Sequence, residues 1–162
     1  MKKLFLLVFL LSSSTFLFAQ DEEQPVYKRF PSIPQFTVYT APDSVAFSKD
    51  DLKKKTTIFF IFSPECGHCK HETQLMLDNI KKFKNTQIVM ITHFPFAEMM
   101  QFYKDFRIAH YPQITMARDT RYFFPVFFKV ENFPSLFVYD KKGNFKKSFE
   151  GSVKMDDLLG SL

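Results

Sequence analysis

Apolar and polar positions alternate along this chain with two different periods. Residues 56–62, Thr-Thr-Ile-Phe-Phe-Ile-Phe, form an unbroken apolar run. Such a run predicts a central strand buried on both faces. Residues 36–39 alternate and are β-branched or aromatic, which predicts another strand, with a short second one over 45–47. Further strands are expected over 87–91, 113–117 and 135–139. The last is followed by a turn at 140–144 and a paired strand over 145–149. Helical spacing appears between them. Leu75, Ile80 and Phe83 predict a helix over 67–83, with Lys81, Lys82 and Lys84 at its negative end. Pro95 opens a second helix, where Phe96, Met99, Met100, Tyr103 and Phe106 recur every three or four positions. Asp119 can cap a third helical segment through residue 128, against which Pro125 counts. The charge run 49–55 reads as a solvated loop or single helical turn, and 153–159 as a closing helix. This order predicts an α/β fold with a central mixed sheet flanked by helices.

The N-terminus follows neither period. Lys2 and Lys3 precede an apolar stretch over 4–11 and a small-residue and apolar stretch ending Phe18-Ala19-Gln20. Residues 1–19 thus read as a secretory signal peptide, with an uncleaved membrane anchor as the alternative. No cysteine lies near the expected cut, which excludes a lipoprotein anchor. Residues 20–34 are polar, hold three prolines and read as a linker, leaving 35–162 as one domain. With 23 phenylalanines and a hydrophobic fraction of 46%, the chain can build its core by burial alone. The net charge of +5 falls to +3 without the leader's two lysines, and is no nucleic-acid footprint. Export, here to a periplasm, places the cysteines where disulfides persist.

Those cysteines are two, Cys66 and Cys69, in Cys66-Gly67-His68-Cys69. A disulfide closing so short a loop stabilises a fold little, so the pair is expected to act chemically. A thiol at the N-terminus of the helix after the central strand faces unpaired N–H groups and the positive dipole end. Both draw its pKa below about 8.5. Cys66 is therefore the expected exposed nucleophile and Cys69, one turn on, the buried resolving thiol. His68, between the two sulfurs, either stabilises the Cys66 thiolate by charge or a hydrogen bond, or stands in solvent without effect.

The segment Cys66-Gly67-His68-Cys69-Lys70 resembles the active site of the thioredoxin superfamily, with the dipeptide typical of protein disulfide isomerase domains. The remainder is similar to a secreted bacterial branch, the TlpA/ResA-like thiol-disulfide oxidoreductases. Ile33-Pro34-Gln35-Phe36-Thr37 resembles that branch's opening strand, Glu72 matches an acid often found there, and residues 113–128 stand where the branch carries an inserted strand-helix segment. The resemblance implies a thioredoxin-like fold. It also implies a cis-proline at Pro134, with the backbone of Phe133 pairing with a substrate peptide. Glu72 is then a proton acceptor for Cys69 or a surface acid paired with Lys70. Two positions depart from the family. Phe60 stands where many thioredoxins bury an acid, and Glu65 where a tryptophan is common.

The activity implied is thiol-disulfide exchange with cysteine pairs of exported proteins, without cofactor and fed by a further redox donor or acceptor. The competing readings are a non-enzymatic redoxin-fold binding module and a metallochaperone. In the latter, Cys66 and Cys69 with a histidine such as His71 or His93 would hold zinc or copper(I). A lone cysteine pair is a weak metal signature, and Met99-Met100 fits a helix core better than a copper site.

Overall fold

The computed structural model describes residues 24–162. The leader expected at 1–19 lies outside them. Among the described residues no helix is long and apolar enough to cross a membrane.

A short helix, α1 (Val26–Arg29), precedes a hairpin of β1 (Thr37–Thr40) and β2 (Ala46–Ser48). A 3-10 turn at Lys49–Asp51 leads to β3 (Thr56–Ile61) and then α2 (Gly67–Asp78). Next come β4 (Thr86–Thr92), α3 (Phe96–Asp105), β5 (Ile114–Arg118) and α4 (Phe123–Phe128). The chain closes with β6 (Ser135–Tyr139), β7 (Phe145–Glu150) and α5 (Met155–Leu159). The strands form one seven-stranded sheet in the order β2-β1-β5-β4-β3-β6-β7. The neighbours β3/β4 and β4/β5 are parallel and the others antiparallel, so the sheet is mixed as expected.

The unbroken apolar run of β3 follows from its two buried faces. Ile58, Phe60 and Phe62 point into one core with Cys69, Met76, Met90 and Leu136. Phe59 and Ile61 point into the other, with Val89, Ile91, Phe124 and Phe137. Phe59 to Phe62 are all fully buried, each side chain contributing about 1.5–3 kcal/mol. The second core is dominated by rings. Phe128 and Phe137 stack with centroids 3.8 Å apart, and Phe59 meets Phe36 edge-on at 5.7 Å.

Three elements differ from the sequence reading. The segment 20–34, expected to be a linker, is no free tether over its described part. Its α1 carries Tyr27 into the aromatic core, 5% exposed, against Phe128, Phe137 and Phe145. Ile33 is buried there too, and its N–H donates to the Gly143 carbonyl. One aromatic and one aliphatic anchor set among polar residues leave no period to read. Pro125 does not break α4. It occupies the first turn, where its missing N–H would have had no partner in the helix. Asp119 does serve this helix, accepting from the N–H groups of Arg121 and Phe124 at 3.1 and 2.8 Å, although Tyr122 precedes the first turn. The helix expected over 67–83 is two pieces, α2 and a 3-10 turn at Ile80–Phe83, joined at Asn79.

Because Tyr27 fills a hole between three rings, Tyr27→Ala should cost about 3 kcal/mol in urea unfolding. A loss below about 1 kcal/mol would show that the segment merely lies on the surface.

Candidate active site

The register of the sheet builds the site. Ile61 at the end of β3 pairs with Ser135 at the start of β6. The loop leaving β3 therefore runs beside the segment entering β6, and these two loops carry Cys66 and Phe133-Pro134. The Phe133–Pro134 bond is cis, as is Ala41–Pro42.

Cys66 is the N-cap residue of α2. Its Sγ accepts the Cys69 N–H at 3.3 Å, the place an N-cap serine oxygen usually takes. The Cys66 carbonyl accepts the first helical bond, from Lys70 N–H at 3.1 Å. The Cys66 thiol also faces the Phe133 carbonyl at 3.7 Å. It is half-buried, whereas Cys69 is fully buried. Both cysteines are free thiols. Burial pushes the Cys69 thiol far above its ordinary value, and the hydrogen bond with the Cys66 side chain adds to this. The pair thus divides into an accessible sulfur on a helix N-terminus and a shielded one held as a thiol.

Glu72 lies one turn beyond Cys69 and is fully buried, which removes the reading of a surface acid paired with Lys70. Its Oε2 accepts the Val153 N–H at 3.2 Å, while its buried Oε1 has no hydrogen-bond partner. Burial raises its pKa above the ordinary carboxylate value, against the opposing effects of the Val153 N–H and His71. His68 is exposed, and its Nδ1 lies 3.4 Å from Ser152 Oγ rather than bonded to the Cys66 sulfur. With Asn132, Phe133, Glu150, Gly151 and Ser152 it lines a recess of about 260 Å³. Phe60 is core, and Glu65 is exposed.

Sequence reasoning missed two partners. Val153 is 81 residues from Glu72, and no local signal joins them. His93 was weighed only as a metal ligand. Its ring instead lies between aromatic neighbours, at 4.4 Å from Phe94, 4.7 Å from Tyr122 and 6.1 Å from Phe133. Burial lowers its pKa, with Asp119 opposing. Among the described residues no three His, Cys, Asp or Glu side chains are grouped so as to hold a metal ion.

The fold is thioredoxin-like, as its similarity to solved structures shows. MTB DsbF, solved in mixed oxidised and reduced forms, matches with a TM-score of 0.68 at 20% identity, over 80% of this chain and 96% of that one. A secreted Mycobacterium tuberculosis disulfide oxidoreductase homologous to E. coli DsbE matches with a TM-score of 0.62 at 19% identity, over 78% and 93% of the two chains. StoA of Bacillus subtilis matches with a TM-score of 0.58 at 19% identity, over 80% and 98%. No protein-family model matches the sequence, and no curated protein does.

Two outcomes follow from these environments. Iodoacetamide should label Cys66 well before Cys69, read by peptide mass mapping over time. Equal labelling rates would contradict the burial of Cys69. Glu72 binds its proton more tightly folded than unfolded, so its contribution is fully present below its ordinary value of 4.5. That contribution is lost as pH rises through the raised folded value. The stability of Glu72→Gln relative to wild type should therefore increase as pH rises from 4.5, measured by urea unfolding at a series of pH values. A flat difference would show the carboxyl to be unperturbed.

Proposed function

We propose that this protein is a thiol-disulfide oxidoreductase of the TlpA/ResA-like branch, acting on cysteine pairs of exported proteins. The observation that carries this reading is the division of labour between the sulfurs: Cys66 partly exposed at the N-terminus of α2, Cys69 fully buried one turn further along it. The structural neighbours support it, two being described by their own redox states or disulfide oxidoreductase activity.

The Cys66 thiolate attacks one sulfur of a substrate disulfide. A Cys66–substrate disulfide forms, and the other substrate sulfur leaves as a thiolate that takes up a proton. Cys69 then loses its proton and attacks the Cys66 sulfur. The first substrate sulfur leaves as a thiol, and the protein retains the Cys66–Cys69 disulfide. Two electrons pass from the protein pair to the substrate pair. The same steps in reverse oxidise a dithiol, and the relative potentials of protein and partner set the direction. Charge on Cys66 is met by the Cys69 N–H and the positive end of α2. Cys69 needs a base, because its proton is tightly held. Glu72 is the acid-base group for that step, one turn away along the helix, with one oxygen unpartnered. In this reading an extended substrate segment pairs with the Phe133 backbone, whose carbonyl lies 3.7 Å from the Cys66 sulfur. Substrate proteins and the redox partner that resets the pair meet this same face, after export through the leader read at 1–19.

Cys69→Ala should trap mixed disulfides through Cys66 that run as high-mass bands on non-reducing gels and collapse with dithiothreitol. Cys66→Ala should trap none, and a trap through neither cysteine would leave the pair without an exchange role. Glu72→Gln should slow the second step, release of the mixed disulfide, by tenfold or more while leaving its formation nearly unchanged, followed by quenched-flow mass spectrometry. Equal slowing of both steps would remove Glu72 from proton transfer.

A further inference from the structure

A wide cavity lies away from the cysteines, on the aromatic side of the sheet. It is an open groove of about 780 Å³ whose apolar lining includes Val26, Phe36, Phe123, Val126 and Phe127. Val126 is 68% exposed on α4, and none of the described residues covers it. Asp50 and Arg121 stand on the polar rim.

Tyr122 joins this groove to the redox site. It lines the groove, is half exposed, and holds a left-handed backbone with φ of 55°. That conformation is uncommon for an aromatic residue. It sets the ring edge-on to His93, whose own ring reaches Phe133 beside the Cys66 sulfur. A chain of ring contacts thus runs from Phe133, beside the Cys66 sulfur, over His93 to Tyr122 on the wall of the groove. Its two steps, 6.1 and 4.7 Å between ring centroids, together span about three residues of extended chain at roughly 3.3 Å each, before the distances from Cys66 to Phe133 and from Tyr122 into the groove are added. The lowered pKa of His93 leaves that ring uncharged at neutral pH, as an apolar surface requires.

We infer that this groove is a second substrate subsite, which takes an apolar side chain some four to six residues from the reacting cysteine of an extended polypeptide. The inference rests on the redox reading above, since continuity with Cys66 is what selects a substrate polypeptide as the occupant. Such a subsite favours unfolded or partly folded substrates, because a folded protein seldom offers an extended apolar stretch beside an accessible disulfide. Tyr122 and Val126 are specificity-determining residues in this scheme, and neither touches the reacting sulfurs.

The test uses two ten-residue peptides, each carrying one cysteine as its mixed disulfide with glutathione. They differ only in having phenylalanine or serine five residues from that cysteine. The reduced protein should exchange with the phenylalanine peptide about fivefold faster in kcat/KM, with the difference in KM. Val126→Glu, a surface change that the fold tolerates, should bring that ratio to about one. Tyr122→Asn, which keeps a residue at ease in the left-handed conformation, should do the same. A ratio near one in the wild type, or an unchanged ratio in both variants, overturns the subsite while the serine peptide still reports exchange. Exchange with neither peptide overturns the redox reading, and the subsite falls with it.

Discussion

Burial of β3 on both faces is the constraint on which the rest depends. A strand covered on two sides must be apolar wherever its side chains have no hydrogen-bond partner, as from Ile58 to Ile61, and it sits centrally, between β4 and β6. Its antiparallel register with β6 then brings its outgoing loop against the loop that enters β6. The meeting of Cys66 and the Phe133 carbonyl is a consequence of pairing in the sheet, not of any attraction between those groups. A slip of one residue would turn each Phe and Ile of β3 to the opposite core and carry the cysteine loop away from Pro134.

The two faces of the sheet divide the work. The core beside α2 and α3 is built of aliphatic side chains, methionines and a few rings, and it shields Cys69. The core beside α1 and α4 is mostly rings, held edge-to-face and stacked. Six buried phenylalanines stand in that second core, against four in the first. That core holds the N-terminal helix against the domain through Tyr27.

The residues differ in how far their roles could be read without coordinates. β3 and β6 were legible because a doubly buried strand leaves an uninterrupted apolar run, and the cysteine pair because it follows such a run and opens a helix. Pro134 was legible only through family resemblance, since the base rate of a cis bond is low. Burial of Glu72 was not legible, because its cover comes from a loop near the C-terminus. Docking of α1 was hidden by its composition, since Tyr27 and Ile33 are single anchors without a period. The aromatic chain through Phe133, His93 and Tyr122 was illegible for another reason: its members come from three separate loops, and each alone resembles ordinary surface.

The capping of α2 by a reactive sulfur ties two quantities that are usually measured apart. The Cys66 Sγ that receives the Cys69 N–H is the same atom that enters the disulfide. Folding and oxidation therefore close a thermodynamic box. Whatever free energy the cap loses or gains on oxidation must appear as an equal difference in unfolding free energy between the two redox forms. By that box, each 30 mV by which the folded pair departs from the unfolded dithiol corresponds to about 1.4 kcal/mol of relative stability. A denaturation curve of each redox form is thus also an electrochemical reading of this helix terminus.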